Sequence, residues 1–99
     1  MGIVFTDRAK FRLKEIKEYY SFRVSSKIAN QIIKEIVEAT KPLEFQPLIG
    51  PEEEFLSHLK LGHRYIIAGN YKILYRIDND NIYITDVFDT RQNPVKMKG

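Results

Sequence analysis

Between His63 and Phe88 three apolar runs follow one another with almost no chain left to connect them. His63–Ile67, Tyr71–Ile77 and Ile82–Phe88 alternate in polarity and are rich in β-branched and aromatic residues, the pattern of half-buried strands. The joins, Ala68-Gly69-Asn70 and Asp78-Asn79-Asp80-Asn81, are made of turn formers. A parallel crossover needs about a dozen residues or more, so joins this short force antiparallel neighbours and a meander.

The chain upstream must pack on that meander. Ile3-Val4-Phe5-Thr6 reads as a strand, with Thr6 or Asp7 capping a helix. Ala9, Leu13, Ile16 and Tyr20 then recur on one helical face. Ser25-Ser26 offers a second cap, followed by a wide apolar stripe of Ile28, Ala29, Ile32, Ile33, Ile36 and Val37, and Pro42 ends that helix. The short join between the helices implies an antiparallel helical hairpin. Residues 42–62 are irregular, punctuated by Pro42, Pro47, Gly50 and Pro51, with a helical turn expected near Glu52–Leu59. The last strand is apolar on both alternating sets, with Ile82, Ile84 and Phe88 on one side and Tyr83 and Val87 on the other. That places it centrally, between the second meander strand and the N-terminal strand. The expected fold class is α+β: an N-terminal strand, a helical hairpin, then a three-stranded antiparallel meander, in one domain over residues 1–99.

Alternation puts Tyr71, Ile73, Tyr75 and Ile77 on the face toward the helices and Lys72, Leu74 and Arg76 on the other. A solvated sheet face accounts for Lys72 and Arg76 at the simplest level. His63, Arg64 and Tyr65 add basic and aromatic groups to the neighbouring strand, and Arg91 follows the last one. Cations beside rings suit phosphate binding or an acidic protein partner. Asp86 and Asp89 are candidates to pair with Arg76 or Arg91, which would make those arginines structural.

Composition excludes several classes. The chain has no cysteine, hence no disulfide framework, thiolate nucleophile or cysteine-based metal site. His58 and His63 lack an evident third ligand, so no metal or other cofactor is expected. Asp78-Asn79-Asp80 starts like a calcium loop but has Tyr83 where the turn glycine belongs. Met1–Thr6 fits a loose myristoylation pattern but reads better as a strand. No phosphate-binding glycine loop and no nucleophile elbow is present. No stretch is long and apolar enough to span a membrane, so no membrane partner is expected and a cytoplasmic location is the default. The net charge of +3, with Glu52-Glu53-Glu54 in one acidic run, suggests segregated signs.

The run Arg64-Tyr65-Ile66-Ile67 through Gly69-Asn70-Tyr71-Lys72-Ile73-Leu74-Tyr75-Arg76, closing on Asp86-Val87-Phe88-Asp89-Thr90-Arg91, resembles the RelE/ParE superfamily of bacterial toxins. These are the toxin halves of type II toxin–antitoxin modules, often labelled plasmid stabilisation proteins. The resemblance implies a growth inhibitor neutralised by a cognate antitoxin that wraps it. In the RelE branch a basic sheet face holds messenger RNA on the ribosome, and a ribose 2′-hydroxyl attacks the adjacent phosphate without a metal. In the ParE branch the target is DNA gyrase and there is no nuclease activity. Lys72 matches a phosphate-binding arginine, Arg91 matches the arginine past the last strand, and His63 and Tyr65 stand where RelE-type enzymes carry lysines. The implied target-binding set is Arg64, Tyr65, Lys72, Arg76 and Arg91, with His63, Lys72 and Arg91 as the catalytic set on the RelE reading. Val95–Gly99 has no tyrosine to match the C-terminal catalytic tyrosine, which tilts the resemblance toward the ParE branch.

Overall fold

The computed structural model describes all residues, 1–99. Strand β1 (Gly2–Phe5) leads into helices α1 (Asp7–Arg23) and α2 (Ser26–Thr40), and strands β2 (Arg64–Ala68), β3 (Tyr71–Asp78) and β4 (Asn81–Asp89) form the meander. The sheet order is β1-β4-β3-β2, with β1 parallel to β4 and the other pairs antiparallel. The expected α+β architecture is the one observed, including β4 as an inner strand.

Thr6 ends one element and starts the next. Its hydroxyl donates to the Ile84 carbonyl at 2.9 Å and accepts from the Ala9 N–H at 3.2 Å, capping α1. Ser25 caps α2 in the same way, accepting from the Ile28 N–H at 3.2 Å. Leu13, Ile16 and Tyr20 of α1 and Ile32 and Ile36 of α2 pack on Tyr71, Ile73, Tyr75, Ile82, Ile84 and Val87. After α2 a short 3-10 turn containing Pro42 (Lys41–Glu44) inserts Leu43 into the same core.

The second sheet face departs from expectation: it is not an open, solvated surface. A 3-10 turn at Glu54–Leu59 and the C-terminal stretch cover it, and Leu56 and Met97 form a second small core with Leu74, Phe88 and Tyr65. The loop that delivers this cover is threaded by one side chain. The buried Tyr75 hydroxyl donates to the Pro47 carbonyl at 2.7 Å and accepts from the Gly50 N–H at 3.0 Å. A Cβ at residue 50 would collide with the Tyr65 carbonyl oxygen, so glycine is required there.

The facing expected for β4 also needs correction. The β3–β4 register shifts between Leu74 and Tyr75, leaving Thr85 as an extra residue. Alternation reverses at that bulge, so Ile82, Ile84 and Val87 all face the helices while Phe88 faces the second core. No helix is long and apolar enough to cross a membrane.

Candidate functional site

The basic residues separate into two regions. On the second sheet face, Tyr65 pairs in register with Leu74, which puts it beside Lys72 and Arg76. Lys72 is not free there. Its Nζ lies 2.6 Å from Oε1 of Glu53 and 4.1 Å from the centre of the Tyr65 ring. Glu53 is only 5% exposed, and its other oxygen accepts from the Phe55 N–H at 3.3 Å. The acidic run is therefore not segregated from the basic strand; one of its members is pressed onto it.

Arg76 stacks 5.1 Å over the Tyr83 ring and reaches Asp78 at 3.4 Å. His63 is buried, 3% exposed, with no hydrogen-bond partner for either ring nitrogen. Its pKa is lowered by burial and, secondarily, by the charge of Arg76. The chain end closes over it, since a Cβ on Gly99 would come within 2.8 Å of the ring. Arg64 does not join this group. It pairs in register with Tyr75, and its guanidinium donates to the Gly50 carbonyl at 2.7 Å.

Arg91 lies elsewhere, at the mouth of a cleft of about 400 Å³ between α1 and the end of β4. Arg12, Ile16 and Tyr19 form the helical wall, and Val87, Phe88 and Asp89 form the strand wall. Arg91 holds Asp89 through two bonds, Nε to Oδ1 at 2.9 Å and Nη2 to Oδ2 at 2.8 Å. These bonds hold the Asp89 carboxyl below its usual pKa. In the cleft lining the Tyr71 hydroxyl is pushed above its usual pKa, first by burial and then by the neighbouring Tyr20 hydroxyl. Asp86 pairs with neither arginine expected for it. Its fully buried carboxylate accepts from Arg12 Nε at 3.0 Å, from the Val87 N–H at 2.9 Å and from the Lys98 N–H at 3.0 Å.

Sequence reasoning missed Glu53, Arg12 and Tyr19. Glu53 is indistinguishable from its neighbours in an acidic run, because only the path of the 50–62 loop selects it. Arg12 follows Ala9 by three residues on α1, a spacing that would have brought it to the sheet side.

Comparison with known proteins bears on this arrangement. A family model described as "ParE toxin of type II toxin-antitoxin system, parDE" matches residues 3–94. A solved structure titled "Chromosomal ParDE TA system from P. aeruginosa" superposes with a TM-score of 0.76 at 22% identity, over 88% of this chain and 92% of that one. At that identity the likeness speaks for the fold alone. No curated protein sequence matches the chain. The family match spans both helices, the sheet (Gly2 excepted), Lys72, the loop that seats Glu53, and Arg91: the chain belongs to the ParE toxin family of type II toxin–antitoxin systems.

Proposed function

We propose that this toxin inhibits bacterial growth by binding its target without cleaving it, and that the target is DNA gyrase. The observation that carries the reading is the state of Lys72. A ribonuclease that grips a phosphate with this lysine needs it accessible and uncompensated. Here a buried carboxylate already occupies its ammonium at 2.6 Å, beneath the cover of residues 54–59 and the C-terminal stretch. His63, the acid–base candidate on the cleavage reading, is sealed in the same layer with both nitrogens unpartnered. Arg91 is the most exposed of the candidate cations, beside a cleft with aromatic and apolar walls, which suits protein recognition. A cognate antitoxin is the expected neutralising partner, on the strength of family membership.

Induced expression tests this with paired readouts. Growth arrest with gyrase-dependent loss of supercoiling, intact messenger RNA and rescue by a co-expressed antitoxin is the expected result. Ribosome-dependent RNA cleavage by the folded protein would replace the reading with the endoribonuclease one. Normal growth at a verified level of folded protein would leave a family member that only binds its antitoxin.

A further inference from the structure

Strand β1 stops at Phe5 because Thr6 turns the chain into α1, so β4 has a strand neighbour on that side only as far as Ile84. Beyond the bulge, Asp86–Asp89 keep β3 on one edge and look across the cleft toward α1 on the other. The ladder decides which backbone groups face the cleft. The Thr90 N–H bonds to the Asn70 carbonyl at 2.9 Å. By the two-residue alternation of an antiparallel pair, Phe88 and Asp86 then turn toward β3, and Val87 and Asp89 turn toward the cleft.

Two of the four cleft-facing groups are already satisfied. The Val87 N–H is taken by the Asp86 carboxylate at 2.9 Å, and the Asp89 carbonyl by the Gln92 N–H at 3.0 Å. The Val87 carbonyl and the Asp89 N–H have no partner in the chain. In a parallel ladder one residue gives its N–H to the carbonyl before its opposite number and takes, at its own carbonyl, the N–H after it. Val87 and Asp89 are such a pair around Phe88. A neighbour of either direction can use these two groups; a parallel one does so through a single residue opposite Phe88 and continues the direction in which β1 runs beside β4.

We propose that this cleft docks an extended acidic segment of a partner protein, parallel to β4. One of its residues bonds to the Val87 carbonyl and the Asp89 N–H, and an acidic side chain just beyond it lies at Arg91. Three features select this ligand. A parallel peptide runs toward the strand end, where Arg91 stands at the cleft mouth and, with Arg12 on the helical wall, faces the cleft beside Glu15 and Asp89. The Arg91–Asp89 pair is at the surface, so an incoming carboxylate exchanges for Asp89 at little cost. Ile16, Tyr19 and Val87 give apolar walls to a cavity of about 400 Å³, room for a short extended segment with one apolar side chain turned inward. The edges of the sheet are β1 and β2, and the β2 edge is less available. On β2 the Tyr65 N–H already bonds to Pro51 and the His63 carbonyl to Glu53. The docking holds whichever molecule the toxin poisons.

The test is titration of the full-length, isotope-labelled chain with the capped pentapeptide acetyl-Ala-Val-Val-Glu-Glu-amide, followed by amide shifts and hydrogen exchange. Three companion probes replace both Glu by Lys, N-methylate the first Val, or N-methylate the second. The expected result is shifts confined to Val87–Arg91, Ile16 and Tyr19, with slowed exchange at the Asp89 N–H. One N-methyl probe, but not its neighbour, should lose affinity by about tenfold, since alternate N–H groups face β4. The Lys probe, and Arg91→Gln in a chain that melts normally, should lose a similar factor. No shifts at millimolar probe, shifts centred on the β2 edge or the helical hairpin, or equal binding by both N-methyl probes would overturn the proposal.

Discussion

Lys72→Ala is the sharpest test of how the second sheet face is built. If Lys72 stood on a solvated face, its loss would cost less than about 1 kcal/mol, as for any exposed charge. In the structure its removal strands the Glu53 carboxylate, whose side chain is 4% exposed, with only the Phe55 N–H at 3.3 Å for company. Breaking a buried pair by deleting one partner costs about 3–5 kcal/mol. The Lys72 side chain keeps 24% exposure, so water can partly reach the site and the cost falls below that range, to about 2–3 kcal/mol. In a domain of this size that is a fall of roughly 10–20 °C in Tm. Thermal and urea melts of the single mutant measure it. The double mutant Lys72→Met with Glu53→Gln controls for the stranded charge and should recover most of the loss. A Lys72→Ala melt within about 0.5 kcal/mol of the parent would show the pair to be marginal and return Lys72 to the set of free cations.

Three further outcomes are expected. Tyr75→Phe leaves the Gly50 N–H and Pro47 carbonyl without their partner, costing about 1–3 kcal/mol in a urea melt and speeding exchange at the Gly50 amide. His63 has a folded pKa below its usual 6.5. The unfolded chain therefore binds the proton first, and its share of stability is complete above about pH 6.5 and lost as pH falls below it. His63→Phe should flatten that stretch of the Tm–pH curve; an unchanged slope would assign it to other groups. Arg91→Ala should leave Tm unmoved because the side chain is exposed, while growth inhibition falls; full toxicity in a stable mutant would remove Arg91 from the functional surface.

The sequence was most legible where local chemistry decides the structure. Thr6 and Ser25 announce both caps, and the turn residues at 68–70 and 78–81 force the meander. The helix-facing row of β3, from Tyr71 to Ile77, follows from alternation alone. It was least legible where a segment without periodicity folds back over something already built. Leu56 was one of several apolar residues in an irregular stretch and Met97 stood alone, yet they convert the face bearing Lys72 and Arg76 from a surface into a second core. Among the candidate site residues, types and neighbourhoods were readable and electrostatic states were not. Whether Lys72 presents a charge depends on Glu53, nineteen residues away in sequence and brought there by a loop held on the Tyr75 hydroxyl.

The Thr85 bulge explains why β4 can serve both cores at once. Asn81–Ile84 point Ile82 and Ile84 at the helices. Unbroken alternation would send Asp86 and Phe88 after them and put Val87 on the other face. A carboxylate would then enter the packing of Ile16 and Leu13, at a cost of several kcal/mol for an unpaired buried charge. The extra residue instead keeps Val87 with the helices and sends Phe88 to Leu56 and Met97. It also sets Asp86 opposite Leu74, where Lys98 of the C-terminal stretch and Arg12, reaching round the strand edge, both bond to it. Those bonds tie α1, β4 and the chain end to one buried carboxylate. The same shift of register turns the backbone of Val87 and Asp89 into the cleft at Arg91. One inserted residue thus both closes the second face and opens the strand edge, and the most exposed of the candidate cations, Arg91, stands at the rim of the sheet.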